Sequence, residues 1–285
     1  MFIIIATICI VIVSFLGVLV NSFLFWKFIN RETSPFQRYC LAKTVPNCIV
    51  CLAFLLWAAP LTAFSVDYKH IPRFLNALIG QVAGFGAYVA GALIELAMAF
   101  NRWSVIYFPA YGIWYTNYVI FLIFMISSVY TSLGLIPAFC AFVYDPDALI
   151  WRHQRTACAD HLKCIILYTI YTIAAVSNFL NLSTFFKLRC GRAAGISVDE
   201  VSRRKRKRIM LFAQSVIQNC LHVIDMINFN FIAPLNPDAW FQFIFTSMSF
   251  LIIHTLDGFV MLIFHPEVQS RRNKSNILVI SRLTS

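Results

Sequence analysis

The stretch "FNRWSVIYFP" (residues 100–109) marks the point where a long apolar run ends at a single arginine, Arg102. The run that precedes it, residues 77–100, contains one acid, Glu95, and no basic residue. It exceeds the roughly 20 apolar residues that a helix needs to cross the hydrocarbon core of a bilayer. Arg102 therefore lies at a membrane surface, and the rest of the chain has to show whether it only anchors the helix there.

Six further runs of this kind follow or precede it, in a chain that is 60% hydrophobic and 12% charged. A soluble domain of 285 residues could not bury so much apolar surface. The first run is too long for a cleaved signal peptide and is interpreted as a retained helix. The sequence predicts an all-α bundle of seven transmembrane helices over residues 1–264 and a short basic tail over 265–285. The seven predicted spans are residues 2–26, 39–64, 77–100, 116–140, 164–186, 209–233 and 241–264.

The lysines and arginines fix the predicted orientation, because short cytoplasmic loops carry an excess of them. With the N-terminus outside and the C-terminus cytoplasmic, 18 of the 23 basic residues fall inside, Lys43 and Arg102 among them. The net charge of +11 is thus a topology signal, and no nucleic-acid partner is expected. The densest basic run precedes the sixth span and is expected to attract anionic membrane lipid. It consists of Arg203, Arg204, Lys205, Arg206, Lys207 and Arg208.

Four polar residues fall at one depth, about 9–12 Å from the inner surface at 1.5 Å per residue. They are Asn21, Asn47, Glu95 and Asp257, on the first, second, third and seventh spans. Two interpretations remain open: a polar layer that rearranges when the bundle changes state, and hydrogen bonds that simply hold the helices together. If Glu95 and Asp257 meet, a shared proton or a bound cation is expected between them.

Two His-x-x-Asp pairs raise the alternative of an intramembrane metal hydrolase: His222 with Asp225, and His254 with Asp257. The sixth and seventh spans run in opposite directions, so the histidines come to the same depth while the two carboxylates diverge by about 15 Å. Four ligands cannot then converge on one ion. The sequence indicates no metal site, no cofactor and no catalytic residues.

Several motifs together resemble rhodopsin-like G-protein-coupled receptors. "NRWSVIYFP" is similar to the Asp-Arg-Tyr motif that closes the third helix, "GVLVN" to the first-helix motif ending in Asn21, and "DGFVM" to a changed Asn/Asp-Pro-x-x-Tyr. More narrowly, "AKTVPNCIVCLAFLLWAAP", "FNRWSVIYFPAYGIWYT" and "HTLDGFVMLIFHPE" resemble the nematode serpentine chemosensory receptors of class X. The resemblance implies an olfactory receptor in the plasma membrane of a sensory neuron, at its cilium, that couples to a heterotrimeric G protein.

By this resemblance the coupling residues are Asn101, Arg102, Trp103 and Pro109, together with the basic run at 203–208. The chain departs from the family pattern where Asn101 replaces the acid beside the arginine, and where Gly258 and Met261 replace a proline and a tyrosine. Helix six has no proline between residues 209 and 233, and helix three has no cysteine at its outer end. A bridge from Cys140 to Cys158, which bracket the second outer loop, is the favoured disulfide instead.

A ligand would bind between the outer halves of helices three, five, six and seven. Aromatic side chains with few polar groups suit a small, mostly apolar molecule, and Asp225 either faces a cationic ligand or pairs with His222. The residues expected to line the site are Gln81, Phe85, Tyr88, Tyr168, Tyr171, Asp225, Asn228 and Phe245. A ligand-gated seven-helix channel subunit stays open as another alternative, and the sequence does not give the oligomeric state.

Overall fold

Seven long helices dominate the structure, a computed structural model that describes residues 2–30, 34–108, 115–135, 140–190 and 198–264, without the side chains of 188–190 and 198–208. Within these ranges all seven are long and apolar enough to cross a membrane. Each overlaps one of the spans predicted from the sequence, so the seven-helix fold is confirmed. The helices are α1 Phe2–Ile29, α2 Pro35–Ala63, α3 Arg73–Tyr107, α4 Thr116–Leu135, α5 Ala157–Cys190, α6 Val198–Ile227 with a continuation to Leu235, and α7 Ala239–Phe264.

Apolar side chains cover the outside of the helices, while polar side chains occupy part of the inside. In α1, Ile8, Phe15 and Leu19 are exposed, whereas Ser14 and Asn21 are completely buried. This distribution would be unfavourable in water, where apolar surface is driven inward. It is the expected one in hydrocarbon, which offers no hydrogen bonds to polar groups.

Side-chain caps explain where two of the helices begin. Ser34 accepts a hydrogen bond from the Gln37 backbone N–H, and the Gln37 side chain accepts one from the Ser34 N–H at 3.0 Å, a reciprocal capping box at the start of α2. Asp238 accepts from the N–H groups of Trp240 and Phe241 at 2.9 and 3.2 Å, which starts α7.

Short π-helical turns interrupt helices near one end of the bundle. They are Phe54–Ala58 in α2, Gln81–Ala87 in α3, Asn228–Ile232 in α6 and Ile244–Met248 in α7. Such turns shift the side chains that follow them around the helix and often occur at functional sites. In α6 the π turn provides an irregularity at a point where the sequence has no proline.

A β-hairpin closes the same end of the bundle, where the sequence indicated only a polar loop. Strands β1 (Phe142–Asp145) and β2 (Ile150–His153) pair antiparallel. Asn76 of α3 binds both backbone groups of Tyr144, at 2.8 and 3.0 Å, and the Ser247 hydroxyl of α7 donates to a hairpin carbonyl at 2.9 Å. The hairpin is therefore part of the packed structure, and the end it covers is called the hairpin end below; the opposite end is called the Arg102 end.

A disulfide ties the hairpin to the helix that follows it. Cys140, just before β1, is bonded to Cys158 in the first turn of α5, which is the pair that the sequence favoured. Cys164, one and a half turns further along α5, is free and exposed.

Candidate functional site

A connected set of polar side chains, called the polar core, lies inside the bundle. Asn47 Nδ2 donates to Asn21 Oδ1 at 3.2 Å and to Asp257 Oδ2 at 2.9 Å. The four residues that the sequence placed at one depth are thus in one buried group. Its members are Asn21, Lys43, Asn47, Glu95, Gln218, His222, His254 and Asp257.

Lys43 is the centre of the polar core. Its side chain is completely buried, and its ammonium lies 2.5 Å from Glu95 Oε1 and 3.4 Å from Asp257 Oδ2. It also donates to the Gly91 carbonyl at 3.0 Å and lies 3.2 Å from His222 Nε2. One lysine therefore provides the positive charge for two carboxylates on different helices.

This position corrects two expectations. Lys43 was counted among the charges of the inner surface, and a shared proton or a bound cation was expected between Glu95 and Asp257. The structure instead places the chain's own ammonium there, because α2 turns Lys43 inward. A signal was available: Lys43 and Asn47 are four residues apart and so share one face of a helix.

Two histidines complete the polar core. His254 Nδ1 lies 2.9 Å from Asn47 Oδ1, an acceptor, so this ring nitrogen carries the proton. His222 Nε2 lies 3.1 Å from Glu95 Oε1, so His222 pairs with Glu95 and not with Asp225 as the sequence allowed. The other ring nitrogens, His222 Nδ1 and His254 Nε2, are buried and have no hydrogen-bond partner among the described residues.

Glu95, His222 and Asp257 have ligand atoms within 4.8 Å of one another, close enough to hold a metal ion. Only His222 and Asp257 belong to the two His-x-x-Asp pairs considered from the sequence. The Lys43 ammonium lies between the same three side chains, so a positive charge already occupies the space that a metal ion would need. A second cation there would be repelled at short range in a medium of low dielectric constant.

Gly258 allows α1 and α7 to approach at the polar core. A Cβ atom at this position would come within 2.9 Å of Asn21 Nδ2 and 3.0 Å of Oδ1. Asn21 uses the same amide nitrogen to donate to the Gly17 carbonyl at 2.9 Å. The departure from the family's proline at this position therefore coincides with close packing of the Asn21 side chain.

Arg102 bridges three helices at its end of the bundle. Its guanidinium donates to the Leu211 carbonyl of α6 and, at 3.3 Å, to Asn181 Oδ1 of α5, and it lies 5.5 Å from the centre of the Phe36 ring. The arginine is almost fully buried. Although Asn101 cannot pair with it ionically, Arg102 is held in place by a carbonyl and an amide of neighbouring helices.

The other residues expected at this end differ in their positions. Asn101 is partly buried, and its carbonyl accepts a hydrogen bond from the Ser104 hydroxyl at 3.0 Å. Trp103 stacks on Tyr107 with 5.2 Å between ring centres. Pro109 and the tail 265–285 lie outside the described residues, as do the side chains of 203–208.

An aromatic cavity of about 70 Å³ lies below the hairpin. Its walls come from α3, α5, α6, α7 and both strands, and the π turns of α3, α6 and α7 contribute to them. Six aromatic rings line it: Phe85, Tyr88, Phe142, Trp151, Phe229 and Phe250.

Three of the eight residues expected to bind a ligand line this cavity: Phe85, Tyr88 and Asp225. Tyr168 does not, since 70% of its surface is exposed on the outside of the bundle. Its placement in the site was wrong, because interior and lipid-facing sides of such helices are both apolar and hydropathy does not reveal the rotation of the helix.

The remaining four residues do not line the cavity. Gln81 is buried against α4, where a Cβ at Gly134 would overlap its amide. Phe245 packs on Phe241, 4.6 Å between ring centres. Tyr171 packs at the edge of the apolar core. Asn228 donates to Ser249 Oγ at 3.0 Å, and Ser249 donates in turn to Asp225.

The prediction from the sequence did not include the hairpin residues that line the cavity, chiefly Phe142, Trp151 and His153. The alternating apolar residues of "FVYD" and "IWRH" were the available signal. Burial, with a smaller effect from the nearby charge of Lys163, lowers the pKa of His153 to about 4. His153 is therefore neutral at pH 7, and its ring nitrogen Nδ1 has no hydrogen-bond partner.

Tyr88 connects the cavity with the polar core. It lines the cavity, and its ring centre lies 5.5 Å from that of His222 and 6.3 Å from that of His254. Phe250, another lining residue, lies 5.0 Å from His254. A molecule in the cavity would thus contact rings that pack directly on the two histidines of the polar core.

Comparison with known proteins identifies the family. The family described as serpentine type 7TM GPCR chemoreceptor Srx matches residues 11–265. Serpentine receptor class X 45 of Caenorhabditis elegans is 22% identical over 93% of this chain and 80% of its own length. The crystal structure of squid rhodopsin superimposes with a TM-score of 0.75 at 10% identity, over 96% of this chain and 85% of that one. The resemblance seen in the sequence is confirmed, and this is a multi-pass membrane receptor and not an enzyme: the chain belongs to the Srx family of serpentine seven-transmembrane G-protein-coupled chemoreceptors.

Proposed function

We propose that this receptor binds a small molecule in the aromatic cavity and signals to a heterotrimeric G protein through the Arg102 end. The observation that carries the proposal is the position of Tyr88 between the cavity and the polar core. A ligand in contact with Tyr88 and Phe250 alters the packing of His222 and His254, and through His222 the partners of Glu95. Binding and the polar core are thereby coupled through direct contacts.

The hairpin end is the outer end in this proposal. The distribution of basic residues supports this orientation, because cytoplasmic loops carry an excess of them. Counted from the sequence, 18 of the 23 basic residues belong to the Arg102 end, including its loops and the C-terminal tail. Basic residues remain in large excess at that end when Lys43 is counted as buried. The Cys140–Cys158 disulfide also supports it, since disulfides persist on the oxidising side of the membrane. The plasma membrane of a sensory neuron, including its cilium, is the proposed location.

The proposed mechanism is a shift between two packings of the bundle. In the described state the Lys43 ammonium is closer to Glu95 than to Asp257, at 2.5 against 3.4 Å, and it is within reach of both. A ligand that moves His222 changes the balance between these two partners. The polar core then acts as the bistable element, with α6 and α7 moving relative to α2 and α3.

Arg102 is the proposed point of readout at the inner end. Its bonds to Leu211 and Asn181 tie α3 to α6 and α5, so separating those helices releases the guanidinium. The released arginine contacts the G protein together with Asn101, Trp103 and Pro109. The basic residues 203–208, at the start of α6, dock on an acidic surface of the partner and on anionic lipid.

The test is guanine-nucleotide exchange on heterotrimeric G proteins in membranes that contain the receptor, without ligand and with an odorant panel. Arg102→Ala should reduce stimulated exchange at least about tenfold, since it removes the contact made only in the active complex. Asn181→Leu removes one of the bonds that restrain Arg102 and should raise exchange without ligand by roughly two- to fivefold.

Tyr107→Phe is the matched control, because it removes another hydrogen bond between α3 and α5 at the same end, from Tyr107 to Ser183 Oγ at 3.0 Å, and leaves Arg102 untouched. It should behave as the unmodified receptor does. Normal stimulated exchange in Arg102→Ala, with expression unchanged, would contradict the proposed role of this residue.

A further inference from the structure

Asp225 is a buried carboxylate in the wall of the aromatic cavity, and it lacks a cationic partner among the described residues. Only 5% of its surface is exposed; it accepts a hydrogen bond from Ser249 Oγ at 3.0 Å, and the Tyr88 hydroxyl lies beside it. His222 interacts with it electrostatically, but the His222 Nε2 atom is engaged with Glu95. A buried charge of this kind is costly unless a counter-charge arrives.

The Asp225 carboxylate is held in a fixed orientation. Ser249 donates to it and accepts in turn from Asn228 Nδ2 at 3.0 Å, so a chain of two hydrogen bonds sets the position of the acceptor oxygen. The carboxylate can therefore accept a further hydrogen bond, from a ligand, without rearrangement of the side chain. A prepositioned acceptor reduces the entropy that binding would otherwise cost.

Six aromatic rings contribute to the remaining wall. The stacked pair Phe85 and Phe142 lies 5.4 Å apart, and Phe142 and Trp151 are stacked at 6.0 Å. The negative faces of such rings attract an organic cation, and indole attracts it most strongly. A carboxylate together with several aromatic faces suits an ammonium group on an apolar body better than it suits a neutral molecule.

The lining residue Trp151 also carries a buried polar atom, Nε1, without a hydrogen-bond partner among the described residues. The indole N–H can only donate. A ligand that provides a hydrogen-bond acceptor beyond its amine would satisfy it. Leaving such a group unpaired disfavours the empty cavity.

Lys163 is the lysine of the cavity lining, and its charge would favour an anion instead. It is about six residues from the start of α5, its side chain is only half-buried, and its ammonium lies 5.9 Å from the centre of the Phe229 ring. Asp225 is deeper, ten residues or about 15 Å before the end of α6 at Leu235. The half-buried lysine reaches solvent, whereas the carboxylate does not, so the unmet demand for a counter-charge is that of Asp225.

We propose that the cavity selects a compact organic cation, an amine on an aromatic or apolar body, with its ammonium on Asp225 and its body among the aromatic rings. This inference rests on the proposed function, since it names the ligand class of the same site. It predicts that charge, more than shape, distinguishes ligands from molecules of equal size.

The experiment compares three probes that share one skeleton: 2-phenylethylamine, 2-phenylethanol and 3-phenylpropanoate. Binding is measured on the purified full-length receptor, in detergent micelles at pH 7, from the concentration dependence of thermal stabilisation. The amine should bind at least about tenfold more tightly than the alcohol or the acid, as expected for a charge-assisted hydrogen bond in a desolvated site. Asp225→Asn should abolish this preference, with the amine no tighter than the alcohol.

Asp160→Asn is the matched control, because it makes the same chemical change on an exposed acid of α5 outside the cavity. It should retain the preference for the amine. The proposal is overturned if the alcohol or the acid binds as tightly as the amine, if Asp225→Asn keeps the preference, or if none of the three probes binds. The unmodified receptor alone ranks the probes, so the test remains decisive even where Asp225→Asn does not fold.

The nucleotide-exchange assay separates failure of this inference from failure of the proposed function. Binding of the amine that depends on Asp225, without any exchange, would leave the ligand class standing and remove the proposed signalling. Exchange stimulated by neutral odorants and unaffected by Asp225→Asn would support the proposed signalling and contradict the proposed ligand class.

Discussion

The polar core and the aromatic cavity are both buried and both contain acids, but in the part of the chain that the structure describes only the acids of the polar core have a positively charged partner. In the polar core, Glu95 and Asp257 share the ammonium of Lys43 and also receive hydrogen bonds from His222, Asn47 and Gln218. In the cavity, Asp225 accepts from the Ser249 hydroxyl and lies beside the Tyr88 hydroxyl, but it has no cationic partner among the described residues, and Trp151 Nε1 and His153 Nδ1 have no hydrogen-bond partner.

The charged groups of the polar core are paired within the protein, whereas the carboxylate of the cavity lacks a counter-charge from the described residues. Groups that are paired within the protein stabilise a particular packing and change only when that packing changes. Groups that are preorganised but unpaired raise the free energy of the empty state and are satisfied when a ligand arrives. Tyr88, which contacts both regions, is the place where occupancy of the second can influence the first.

The largest expected effect follows from removing the shared ammonium. Lys43→Met leaves two carboxylates close together in a fully buried site with no positive charge between them. Breaking a buried ion pair in this way costs about 3–5 kcal/mol. We expect the midpoint of thermal unfolding in detergent micelles to fall by about 10 °C or more, with a matching loss of folded receptor in the membranes of expressing cells.

Lys163→Met is the control that tests the comparison, since it removes a lysine from the cavity instead of the polar core. Lys163 is half-buried and reaches solvent, so its loss should change the unfolding midpoint only slightly. Combining Lys43→Met with Glu95→Gln and Asp257→Asn should recover much of the stability, because no uncompensated charge remains. Equal effects of the two lysine substitutions would show that the polar core is not held by its ion pairs.

The sequence could predict the depth of the polar core but not its central residue. Depth follows from counting residues along a helix, and this count brought Asn21, Asn47, Glu95 and Asp257 together. Lys43 was assigned to the surface because a lysine near the end of a span usually lies there. Only its four-residue spacing from Asn47 indicated that it could turn inward.

The cavity was predicted less completely, for two physical reasons. Helices that contact lipid on one side and a mostly apolar interior on the other are apolar all round, so the inward position of Tyr88 and the outward position of Tyr168 looked alike. The hairpin wall was hidden inside a polar loop, where four-residue strands give a weak pattern. Trp151 and His153 were therefore missed.

An intermediate effect is expected from the disulfide that ties the hairpin to α5. Cys140→Ser opens a loop with a sequence separation of 18 residues, for which chain entropy predicts a loss of about 3 kcal/mol. The loss should be greatest at the hairpin end. We expect limited proteolysis between residues 141 and 156 to become faster, while the polar core remains folded, and binding of 2-phenylethylamine to weaken because the hairpin forms one wall of the cavity.

Cys164→Ser is the control for this change, as it removes a free, exposed cysteine at the same end of α5. It should leave proteolysis and binding unchanged. A reducing agent should reproduce the effect in the unmodified receptor and have no further effect on Cys140→Ser. If Cys140→Ser instead lowers stability as much as Lys43→Met does, the two regions do not unfold independently.

The smallest expected effect is a pH dependence confined to the cavity. Burial, and secondarily the charge of Lys163, keeps the pKa of His153 at about 4, below the usual value of 6.5. A lowered pKa in the folded state means that the unfolded chain binds a proton more readily between pH 6.5 and 4. The contribution of His153 to stability is therefore complete above pH 6.5 and is lost as the pH falls through that window.

His153→Gln removes this contribution, so the unmodified receptor should lose more stability than the variant between pH 7 and pH 5. Because the side chain is partly exposed, we expect a difference of only about 1 kcal/mol, or a few degrees in the midpoint of thermal unfolding. His161→Gln, a change at an exposed histidine of α5, should follow the unmodified receptor across the same range. A His153→Gln variant whose pH profile matches that of the unmodified receptor would mean that His153 is hydrated in the folded state, and that the cavity is wetter than its aromatic walls indicate.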